Sequence, residues 1–177
     1  MAKREKRSVA RMQKPSPMKP WHTFAEESPK LAESGLALLF RDRIGLAFLA
    51  TLRKDGAPRL HPVNLVLQGG HLYVLIPHHS PKCADLLRDG RYALQAFPQA
   101  GGVGEEFYIS GYAECILDPI FRQALINETK ILVSENEVLF ELLLERVMHS
   151  MLENEGTSDE RPAHYKWRAT LTANNHG

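Results

Sequence analysis

The chain has 177 residues, 44% hydrophobic and 24% charged, with no apolar run of the roughly 18 residues that a membrane-crossing helix needs. A chain of this length can bury a core in one domain without disulfide staples. Its two cysteines, Cys83 and Cys115, stand in no metal-type spacing and read as reduced cytoplasmic thiols.

The net charge of +1 hides an asymmetry: residues 1–20 carry seven basic residues against Glu5 alone, a local +6 that leaves −5 on residues 21–177. With Pro15, Pro17 and Pro20 in the same stretch, this reads as a disordered basic arm, and no apolar segment follows it as a secretory signal would require. The acidic body gives no support to a nucleic-acid module, which would present exposed aromatics on a basic face.

Along the body, Ser28-Pro29 is an N-cap followed by proline at the first helical position. It opens a helix to about Phe40, with Leu31, Leu36 and Leu39 as the buried stripe. Three strand-like runs follow, Ile44 to Arg53, Pro58 to Leu67 and His71 to Pro77, separated by the hairpin signals Asp55-Gly56 and Gly69-Gly70. Ser80-Pro81 repeats the cap-plus-proline signature for a short helix ending near Asp89-Gly90. Strands at Arg91 to Phe97 and Glu106 to Leu117 flank the Gly-rich stretch Ala100 to Gly104. After Asp118-Pro119 the chain turns helical, and Val138 to Leu152, apolar almost all round, reads as a helix covered on more than one side. A polar loop over residues 153–163 leads to a last strand, Tyr165 to Thr172.

Six strands with short turns predict a closed or partly closed antiparallel barrel, mainly β with flanking helices. The first strand is apolar on both faces: Ile44, Leu46, Phe48 and Leu52 on one, Ala47, Leu49 and Thr51 on the other. One face can fill a barrel, and the other calls for a helix or a second subunit, hence a homodimer.

If Gly69-Gly70 is a two-residue turn, Gln68 pairs with His71, and continuing that register places Arg59 opposite Ser80. Lys82 sits just beyond, in the first turn of the helix that Ser80 caps. An arginine fork, a lysine and a helix N-terminus at one end of one hairpin form a receptor suited to phosphate.

These residues also carry a resemblance. "LAFLATLRKDGAPRLHPVNLVL" (Leu46 to Leu67), "LYVLIPHHSPKCADLLRDGRYALQAFP" (Leu72 to Pro98) and "EFYISGYAEC" (Glu106 to Cys115) resemble the pyridoxamine 5'-phosphate oxidase-like family, with looser likeness in "LFELLLERV" and "HYKWRA". The resemblance implies a six-stranded antiparallel split β-barrel that holds FMN at a homodimer interface. It implies flavin contacts from Arg59, Leu60, His61, Pro62, Val63 and Asn64, further contacts from Leu75 and Ile76, and phosphate binding by Ser80 and Lys82. Glu106 matches a glutamine that approaches the flavin from the partner subunit, and Trp167 a tryptophan near the flavin.

The departures are as informative. Asn64 and Pro81 stand where the true oxidases carry a lysine and a second arginine, and the C-terminal Arg-x-His signature is missing. Loss of two cations disfavours a phosphorylated substrate, so the chain reads as a divergent FMN-dependent oxidoreductase of a small molecule. The flavin does the redox chemistry and no catalytic side chain stands out. The rivals are a deazaflavin-dependent reductase on the same barrel and a non-enzymatic flavin- or haem-binding protein, with His61 the candidate haem ligand. No metal site is expected, because His78 and His79 point to opposite faces of an extended segment.

Overall fold

The computed structural model describes residues 17–43, 45–98, 104–129 and 136–171. Helices α1 (Trp21–Glu27) and α2 (Pro29–Leu39) precede strands β1 (Gly45–Leu52), β2 (Pro58–Gln68) and β3 (His71–Pro77). Helix α3 (Pro81–Arg88), strands β4 (Arg91–Ala96) and β5 (Glu106–Ile116), helix α4 (Pro119–Thr129), and strands β6 (Glu137–Glu153) and β7 (Arg161–Arg168) complete the order.

All pairings between these strands are antiparallel, in the order β3-β2-β1-β4-β5-β6-β7, and β3 also pairs with β6. That last pairing closes a six-stranded barrel, with β7 outside it as a flap on β6. The expected barrel is therefore present, with a different sixth strand.

The segment expected as a helix over Val138 to Leu152 is β6, the longest strand of the sheet. Its composition suits a helix, but nearly every residue finds a ladder partner on β3, β5 or β7, and cross-strand pairing overrides local preference. Its lack of period reflects burial on both sides: Phe140, Leu142 and Leu144 fill the main core, while Leu139 joins a second cluster with Val66, Tyr73 and Leu125. The last strand begins at Arg161, four residues before the expected start at Tyr165.

The glycine turn behaves as expected. Gly69 and Gly70 both take positive φ (58° and 79°), and the register runs Gln68↔His71 to Leu65↔Val74. Both expected proline-led helices form, and α1 adds a helix that composition did not announce. The Gly-rich stretch falls mostly outside the described residues, as does the basic arm up to residue 16. Lys19 already bridges to Leu144 through hydrogen bonds of 2.9 and 2.7 Å.

Between β5 and β6 the register passes from Ser110↔Arg146 to Gly111↔Leu144, so Glu145 is an extra, bulged residue. A Cβ on Gly111 would lie 1.9 Å from the Leu143 carbonyl oxygen, a backbone atom that cannot step aside. Gly111→Ala is expected to destabilise the fold by about 2–3 kcal/mol, read from the urea midpoint at unchanged m-value.

Candidate functional site

Beyond Leu65↔Val74 the first hairpin opens. β2 continues along β1 from Val63↔Ala47 to Pro58↔Leu52, whereas β3 continues along β6 from Leu75↔Leu139 to Pro77↔Glu137. Arg59 therefore lies opposite Thr51 rather than Ser80, and the ladder position expected from the hairpin register does not exist. What brings the two segments together is α3. Ser80 caps it, its side-chain oxygen accepting from the Cys83 N–H at 3.3 Å.

Asp85, one turn into α3, is only 4% exposed. Its Oδ2 accepts from Thr51 Oγ1 of β1 at 3.0 Å and from Arg59 Nε of β2 at 2.7 Å, and its Oδ1 from Arg88 Nη1 at 3.2 Å. Arg88 also donates to the Leu52 carbonyl. Burial pushes the Asp85 carboxyl up, but the hydrogen bonds from Arg59, Thr51 and Arg88 outweigh it and hold it below the usual carboxylate range.

Three cations share this corner with that one carboxylate. Lys82 is the third, and neither its ammonium nor its backbone N–H has a partner among the described residues. Among the described residues the Arg59 fork is engaged only through Nε, and its outer amino groups have no partner there. The Ser80 hydroxyl, accepting at the cap, keeps its own proton to donate. His61 sits on β2 opposite Leu49. Burial, then the Lys82 and Arg59 charges, lower its pKa against a smaller opposing effect of Asp85, so the ring is neutral at pH 7. Its Nε2 is buried with no hydrogen-bond partner among the described residues. Donor-rich, cationic and opening on a helix start, the corner has the chemistry of an anion receptor.

The remaining expected residues fall into separate groups. Along β2 the alternation turns Arg59, His61 and Val63 to one side and leaves Leu60, Pro62 and Asn64 exposed on the other, Leu60 at 62%. Leu75 packs beneath α4 with the second core cluster, and Ile76 is fully buried, so its side chain is core rather than lining.

Glu106 lies opposite Ser150 at the start of β5. Trp167 shares an inward row with Val147, Ile109, Leu94, Leu49 and His61 across β6, β5, β4 and β1, and through the closing β3–β6 pairing its strand is three spacings from β2. Its indole packs against Phe24 at a tilt of 59°, ring centroids 5.0 Å apart, and donates to Glu27 at 2.9 Å. Arg59, His61, Ser80 and Lys82 share the α3 corner, whereas the Trp167 indole is engaged with Phe24 and Glu27 of α1.

Asp85, Thr51 and Arg88 were missed by sequence reasoning. A signal was present, since a carboxylate at 85 falls between Cys83 and Leu86 on the apolar face of a short helix, where it requires cationic partners.

Asp85→Asn is expected to cost roughly 1.5–3 kcal/mol at neutral pH, the range for a hydrogen bond to a charged group. Because the folded carboxyl titrates below its unfolded value, the network's stabilisation is complete above that unfolded value and lost as pH falls through the folded one. The gap between wild type and Asp85→Asn in chemical denaturation should therefore shrink from about pH 4 downward.

No protein-family model and no curated protein matches the sequence. Among solved structures, the chain is similar to a NimC/NimA-family protein from Clostridium acetobutylicum, at 12% identity and a TM-score of 0.55 over 82% of this chain and 96% of the other. It is similar also to a provisional pyridoxamine 5'-phosphate oxidase from Listeria innocua, at 18% identity and 0.52 over 65% and 94%. A haem-binding protein from Mycobacterium smegmatis matches at 17% identity and 0.53 over 75% of this chain, which spans only 57% of that protein's length. At these identities the likeness speaks to architecture. The chain has the split-barrel fold that these proteins share, in a divergent sequence.

Proposed function

We propose that the chain is an FMN-dependent oxidoreductase of a small molecule, working as a homodimer, with the flavin phosphate held by Lys82, Ser80 and Arg59. The observation that carries this reading is Lys82. Its ammonium and backbone N–H, both without partners among the described residues, stand at the start of α3 beside a second cation and a neutral histidine. A cationic cluster with spare donors at a helix N-terminus suits a phosphate monoester. Bound FMN supplies the two-electron chemistry. The chain anchors the phosphate, aligns the ring along Leu60–Asn64 and limits water.

The homodimer is supported by the outer face of the sheet. Leu46, Phe48, Ala50 and Leu52 of β1 are half-buried there, Phe48 stacks on Phe97 at 4.0 Å, and Leu60 and Pro62 are exposed beside them. At the far edge of the same face, Tyr108, Arg146, Met148, Lys166 and Arg168 line an open cleft of about 400 Å³. A two-fold axis parallel to the strands lays β2 of one copy over β6 and β7 of the other. That arrangement sets the basic cleft of one copy against Leu60–Asn64 of the second and completes a site that each chain holds only in part.

Two experiments test the reading. Purified protein should bind FMN with flavin absorbance, and Lys82→Ala should weaken binding about tenfold or more, the loss expected for one charge-assisted contact. Unaltered FMN affinity in Lys82→Ala would remove the phosphate site. In sedimentation equilibrium the wild type should have twice the 20.0 kDa chain mass, and Ala50→Arg, which sets a charge in the middle of the apolar face, should be monomeric and bind FMN poorly. A monomeric wild type with full flavin affinity would contradict the shared site.

A further inference from the structure

A second cleft of about 420 Å³ lies away from the α3 corner, between α4, the β2–β3 turn and β6. It falls within the size range of small-molecule sites, roughly 300–1,000 Å³. Its apolar wall comes from Ile116 at the end of β5 and Phe121 of α4, with the Phe121 ring 6.0 Å from that of Tyr73. Tyr73 is only 3% exposed, yet its hydroxyl has no hydrogen-bond partner among the described residues. Burial, reinforced by the neighbouring Glu141 carboxylate, pushes this phenol up to about 12, so it is a permanent donor at neutral pH.

Two carboxylates face the same space. Glu141 Oε1 lies 2.6 Å from His71 Nδ1, a contact that orients the carboxylate and leaves its second oxygen without a partner among the described residues. Glu128, at the rim on α4, takes one hydrogen bond of 2.8 Å from Gln68. Among the described residues no lysine or arginine lines the cleft. An anion entering here would meet two carboxylates, and of the described lining residues only the His71 ring, already held by Glu141, could offset them. An ammonium would meet acceptors on two walls and the rings of Tyr73 and Phe121, a kind of group whose π-face attracts cations.

We propose that this cleft binds a small organic monoamine bearing an aromatic or bulky apolar group. Its ammonium would lie between Glu141 and Glu128, and its apolar part against Phe121 and Ile116. The site is independent of the flavin reading, because it shares no residue with the α3 corner.

The test is calorimetric titration of the full-length protein with phenethylamine and with 3-phenylpropionate, a near-isostere of opposite charge, each with and without FMN. The amine should bind one per chain, at least about tenfold more tightly than the acid, a difference of about 1.4 kcal/mol. FMN should leave the amine affinity unchanged. Ala124→Trp, which fills the cleft from an exposed position on α4, should abolish binding without altering thermal stability. Glu141→Gln should weaken the amine about tenfold, and Glu128→Gln on the exposed rim provides the same test should the first variant disturb the β3–β6 ladder. Equal affinity for amine and acid, binding that survives Ala124→Trp, or no heat with millimolar phenethylamine would each overturn the assignment.

Discussion

The geometry of the α3 corner depends on one buried carboxylate. Asp85 joins β1 through Thr51, β2 through Arg59 and its own helix through Arg88. A charge this buried is tolerable only with its lone pairs filled, and every partner it recruits is drawn into a fixed place. β2 and β3 have already parted at Leu65 and Val74, so no ladder holds the start of α3 against β2. The carboxylate does that instead. It also restrains Arg59 through Nε, which points the guanidinium and leaves its outer nitrogens without a partner among the described residues. Such a charge is a weak source of net stability, and its value here lies in orientation.

The parted hairpin explains why the barrel can be closed and still offer a site. Closure through β3 and β6 satisfies the sheet edge that an open barrel would expose. The separation of β2 from β3 leaves short stretches of backbone without ladder partners on their facing sides, and α3 enters at that point. The bulge at Glu145 serves the same geometry, since it lets the long β6 bend far enough to pair with β3 at one end and β7 at the other.

The elements that could be read from sequence were those specified by local chemistry. Gly69-Gly70 demands positive φ at two successive residues, and Ser80-Pro81 prepares both a cap and a first helical turn, so both could be located from a few letters. β6 could not, because a run of Leu, Val, Phe and Met without a period looks the same in a buried helix as in a strand buried on both sides. Only distant pairings decide between them. The corner was legible in its members and not in its wiring. Arg59, Ser80 and Lys82 were expected together, but by a ladder that ends before it reaches them, and the connection comes instead from Asp85.

His61 bears on the choice between an anionic cofactor and a haem. A neutral imidazole with a free Nε2 is what iron ligation requires, and both conditions hold here. That same nitrogen, however, is buried, and the Lys82 and Arg59 charges act on its ring. Lys82, by contrast, has an ammonium and a backbone N–H without partners among the described residues. The cations that keep His61 neutral also place positive charge beside Nε2, which opposes an iron centre there and favours an anion. The charge of this corner therefore favours an anionic ligand over an iron centre at His61.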